Sequence, residues 1–189
     1  MAAGELDPSL ILPLIKRIEP QSMYPPASVP DTDLPVTEQL AGGLLVAYVF
    51  DMPGMFRYLS AATCSLLHLT TDDLRPLAVR NLTRRRARPQ IKGAPAAAML
   101  VLDGDLEASL LLVDHLWEQI GTQLPGDLIA AVPSRDTLFI TSSQEPGGTA
   151  ALTRAVDAVW RKSEDRLLLT RSLLIRDGRS WSPFSSQPT

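Results

Sequence analysis

Apolar positions in this chain follow two rhythms. Leu106, Leu110, Val113, Trp117 and Ile120 recur every three or four residues, which predicts one amphipathic helix from Glu107 to about Gln123. Leu152, Val156, Val159 and Trp160 predict another over 150–163. Continuous apolar runs bounded by turn residues predict strands at Leu44–Phe50, Ala98–Leu102, Asp127–Val132, Thr137–Ser142 and Leu167–Ile175. Pro53-Gly54 turns the first of these back through Met55–Leu59 as a hairpin, and Asp177-Gly178 turns the last towards Trp181.

Helix starts are marked by capping residues. Asp7-Pro8 predicts a helix carrying Leu10, Leu14 and Ile18 on one face, kinked at Pro13. Ser60 caps a short helix through Leu67, and Thr70-Thr71-Asp72-Asp73 forms a capping box for a second. Leu74, Leu77, Ala78 and Leu82 line the inner face of that second helix, with Pro76 weakening its first turns. Hairpins and helices alternate without a βαβ rhythm. The expectation is therefore α+β: a mainly antiparallel sheet of about five to six strands with helices packed on one face. Residues 1–189 read as a single domain, 20–38 as a Pro-rich arm or linker and 185–189 as a tail.

Composition narrows the picture only a little. The 45% hydrophobic content supports one sizeable core, and 5% aromatics make it an aliphatic one. A net charge of −3 argues against a nucleic-acid binder. One cysteine, Cys64, excludes an intramolecular disulfide and fits a cytoplasmic location. No secretory signal stands at the N-terminus, and no apolar run reaches the roughly 18 residues of a membrane span.

Candidate chemistry is thin. His68 and His115 are the only histidines, and neither has a metal-ligand partner at a useful spacing. Cys64 and His68 have helical i,i+4 spacing, but their apolar setting reads as packing. A Ser134, His115, Asp136 triad exists only on paper. Nucleotide-binding and hydrolase motifs are missing, so neither a cofactor nor a metal is expected. Asp103, Asp105 and Glu107 read as a turn and a helix N-terminus, where the dipole favours negative charge. Ser134, Arg135 and Asp136 form a polar knot between two apolar strands; with Asp105 and Glu107 they are the candidate binding residues. Arg80, Arg84, Arg85 and Arg86, with Arg88 and Lys92, make the one basic run, read as a solvated face or a contact for an acidic partner.

The pieces Ile11-Leu12-Pro13-Leu14-Ile15-Lys16, Phe56-Arg57-Tyr58-Leu59, Leu77-Ala78-Val79-Arg80-Asn81-Leu82, Glu107-Ala108-Ser109-Leu110-Leu111-Leu112 and Gly126-Asp127-Leu128-Ile129-Ala130-Ala131-Val132-Pro133-Ser134-Arg135-Asp136 together carry a resemblance. The chain resembles the YtpQ-like bacterial proteins of the domain-of-unknown-function 1444 family. The resemblance implies a cytoplasmic α+β domain, the C-terminal part of longer members, and it implies no activity. The functional expectation is a protein acting by protein–protein binding, as an adaptor, a chaperone or an immunity protein that neutralises a toxin or effector. An enzyme with a polar site near Ser134–Asp136 is the alternative. Nucleic-acid binding through the Arg80–Lys92 run is weaker still, and no membrane partner is expected.

Overall fold

A computed structural model describes residues 6–18, 30–85, 88–162 and 167–185. Residues 20–29 of the expected arm, Arg86, and residues 186–189 of the expected tail lie outside these, as does the side chain of Arg85. The α+β class holds, with the strands divided between two antiparallel sheets.

The first sheet is built on β3 (Leu44–Met52). β1 (Ile11–Arg17) pairs along one of its edges, while β2 (Thr37–Leu40) and β4 (Met55–Tyr58) share the other. The expected N-terminal helix is thus a strand. Asp7 does cap, accepting from the Ser9 N–H at 2.8 Å, but only over a single 3₁₀ turn, Pro8–Leu10. Ile11, Leu12, Leu14 and Ile15 are all buried, on both faces of β1. Pro13 is tolerated because it sits on the unpaired edge, where no ladder N–H is needed. The edge carbonyls there are met by side chains: Asn81 Nδ2 donates to Ile11 O at 3.0 Å and Ser109 Oγ donates to Pro13 O at 2.8 Å.

α1 (Ala61–Leu66) starts at Ser60, whose hydroxyl accepts from the Thr63 N–H. α2 (Thr71–Arg85) is closed by Asp73, which accepts from both the N–H and the hydroxyl of Thr70. It runs through exposed Pro76 and buries Leu74, Ala78 and Leu82 in the main core.

The second sheet has six strands in the order β10-β9-β7-β8-β6-β5. These are β5 (Gln90–Lys92), β6 (Ala98–Val101), β7 (Leu128–Ser134), β8 (Thr137–Ser142), β9 (Leu173–Asp177) and β10 (Ser180–Pro183). Ala130, Val132, Leu138, Ile140 and Leu174 face the main core, and Ile129, Ala131 and Phe139 face α4 (Gly148–Lys162) through Leu152 and Val156. The expected strand 167–175 is shorter: residues 167–170 run beside a bulge in β7, and β9 begins at Leu173.

The long helix expected from Glu107 is broken at Val113, whose φ of −94° and ψ of 81° leave the helical region. Before it lies a 3₁₀ segment, Glu107–Leu112, every residue of which is buried. After it comes α3 (Asp114–Gly121), amphipathic as expected, with Trp117 and Ile120 inward. Two indoles meet carbonyls of the 3₁₀ segment: Trp117 Nε1 donates to Leu110 O at 2.7 Å and Trp181 Nε1 to Leu111 O at 2.9 Å.

Candidate functional site

The Ser134–Asp136 knot ends β7 and turns into β8. Pro133 occupies the β7 bulge, where a missing N–H costs no ladder bond. Ser134 is fully buried, and its hydroxyl donates to Asp136 Oδ1 at 2.6 Å. The Thr137 hydroxyl donates to the same oxygen at 3.1 Å. The Arg135 backbone is held from both sides, its N–H donating to Leu167 O and its carbonyl accepting from the Ala108 N–H. The knot therefore pins three segments together.

Glu107 is likewise inside. Its Oε1 accepts from the backbone N–H groups of Leu102, Asp103 and Gly104 at 3.0, 3.1 and 2.7 Å, closing the turn after β6. Its Oε2 is buried without a hydrogen-bond partner.

Of the five candidate binding residues, the structure brings Arg135 and Asp105 together at a surface. Arg135 Nη2 lies 3.4 Å from Asp105 Oδ1, and its guanidinium sits 5.6 Å from the Phe56 ring centre. An open cleft of about 420 Å³ lies here, lined by Asp51, Met52, Met55, Phe56, Asp105 and Arg135. One wall is the β3–β4 hairpin tip; the other is the β7–β8 turn. Met55, on the hairpin, is 62% exposed. Sequence reasoning missed Phe56 and Met55 as site residues, because a hairpin tip some eighty residues from the knot carries no spacing signal.

The other candidates are dispersed. His115 is exposed on α3 and lines a different cleft from the one at Arg135. Cys64 is buried, and burial pushes its thiol upward, away from the thiolate a nucleophile needs. Arg80 and Arg84 are exposed one helical turn apart on α2, and Arg88 and Lys92 are exposed beyond it. Among the described residues no group of three His, Cys, Asp or Glu is placed to hold a metal ion.

A second polar cluster had no sequence signal. Tyr48 Oη donates a short hydrogen bond to Glu38 Oε1, and Arg75 Nε donates to the same oxygen at 2.8 Å. Burial, then the Glu38 carboxylate, hold the Tyr48 phenol well above the usual tyrosine range. Nearby, Arg176 Nη2 lies 2.7 Å from Asp114 Oδ1, with its guanidinium 5.4 Å from the Trp181 ring centre. Arg75, Asp114 and Arg179 line a cleft of about 380 Å³ between β2 and β10.

The chain matches no family model, no curated protein and no solved structure. The YtpQ-like resemblance therefore rests on the quoted residues alone.

Proposed function

We propose that the protein acts by binding another protein, as an adaptor, chaperone or toxin-neutralising immunity protein, and that the Arg135 cleft receives a segment of that partner. One observation carries this reading: a strongly exposed methionine on the hairpin adjoins Phe56 and an arginine, residue types enriched at protein interfaces. A single buried cysteine fits action in a reducing cytoplasm. An enzyme reading has no observation of its own, because Ser134 is shut in and Asp136 is committed to two hydroxyls.

The test is capture from cells of the source organism on the immobilised full chain, compared with Met55→Glu and Asp105→Lys. Each variant is expected to lose the captured partner by roughly 30-fold in affinity, a hot-spot cost of about 2 kcal/mol. Circular dichroism and the melting temperature should not move. Equal capture by wild type and both variants, or no saturable partner, removes the reading. For the arginine run, a duplex DNA titration at low salt is expected to stay flat.

A further inference from the structure

A third cleft lies beside the break at Val113. It has a volume of about 400 Å³ and lies between the C-terminal end of α2, the residues leading into β5, and α3. Its volume is within the range of about 300–1,000 Å³ typical of small-molecule sites. The floor is aliphatic, formed by Leu82, Leu110 and Val113, each of which is almost wholly buried. The rim carries Arg88, His115 and Gln119. Among the described residues no Asp or Glu lines it, although the chain has 21 acids and a net charge of −3. Among the described residues neither Arg88 nor His115 takes part in an ion pair, whereas Arg75, Arg135, Arg171, Arg176 and Arg179 each face a carboxylate.

Among the described residues the lining thus offers one permanent cation, an imidazole and a carboxamide above an aliphatic floor. A cationic ligand would meet no acid among the described residues. A strongly hydrated phosphate dianion would meet one permanent positive charge among the described residues and an apolar surface that cannot replace its water. A carboxylate matches the guanidinium fork, and its apolar body matches the floor. We propose that this cleft binds a small apolar molecule bearing one carboxylate, held by Arg88 with His115 and Gln119 and seated on Leu82, Leu110 and Val113. The inference is independent of the Arg135 cleft and gives one residue of the 80–92 basic run, Arg88, a specific use.

Naphthoate and its uncharged analogue naphthamide are suitable probes, titrated calorimetrically into the full chain. Naphthoate is expected to bind with a Kd below about 1 mM, and naphthamide at least tenfold more weakly, the size of one charge-assisted contact. Arg88→Gln should lower naphthoate affinity about tenfold and leave naphthamide unchanged. Leu116→Glu, which places a carboxylate in the lining, should abolish naphthoate binding. Amide NMR shifts should move at Val113 to Gln119 and not at Asp105 or Arg135. No naphthoate heat at millimolar concentration, equal affinity for the two probes, indifference to Arg88→Gln in a folded variant, or shifts confined to another surface would overturn the proposal.

Discussion

At the scale of single residues, two buried polar groups decide more than any exposed one. Glu107 was legible as an acid at the start of a helical pattern. Its actual task, one oxygen accepting three amides of the preceding turn, depends on a loop curling back and leaves no trace in spacing. Glu107→Ala orphans all three amides and is expected to lower stability by roughly 3 kcal/mol, about 1 kcal/mol for each unmet donor. Glu107→Gln keeps an acceptor oxygen and should cost only about 1 kcal/mol, the charge-assisted part. Denaturant unfolding of both variants measures the difference, and a cost near zero for Glu107→Ala would show that the amides find water instead. Tyr48 is expected to contribute to the alkaline limit of stability. Its folded pKa is raised, so the native state keeps a proton that the unfolded chain releases above about pH 10. The stabilising contribution is therefore complete below that pH and is lost as pH rises from there towards the folded value. Tyr48→Phe should flatten the fall in melting temperature across this window; an unchanged slope would assign the fall to other groups.

At the scale of elements, the hairpins, caps and amphipathic helices were legible, because each carries a local signal. Ser60, the Thr70–Asp73 box and Gly54, with φ of 76°, sit where turn and cap chemistry puts them. β1 was not legible. A strand buried on both faces has no alternation, so Ile11 to Ile15 reads equally well as a buried helix segment, and the real Asp7 cap tipped the balance. The segment 107–112 failed for a related reason. With Ser109 and Glu107 inside alongside the leucines it has no solvent face, and helical periodicity beyond Val113 was extended backwards over it. Asn81, with Ser109, lets β1 end the sheet. Asn81→Ala leaves the carbonyls of Ile11 and Pro8 without their donor and is expected to cost about 2 kcal/mol in denaturant unfolding. A cost near zero would show that water reaches that edge.

At the scale of the whole molecule, the α+β class followed from the element order, whereas the division into two sheets did not. Nothing local tells β1 to pair with β3 across the intervening chain, or β6 with β8 across the 3₁₀ segment and α3. The candidate site was half legible. Arg135 and Asp105 were found as polar residues between apolar runs, while Phe56 and Met55 were supplied by a hairpin that only tertiary packing brings alongside. The Trp181 indole has a further consequence for how the chain is made. It donates to Leu111 and meets Trp117 edge-on, with ring centres 4.7 Å apart. A nascent chain leaving the ribosome therefore holds the middle of its core incomplete until residue 181 has emerged. Up to that moment the 107–121 region has a carbonyl and an aromatic edge uncovered, and this is the interval in which a chaperone could engage the polypeptide.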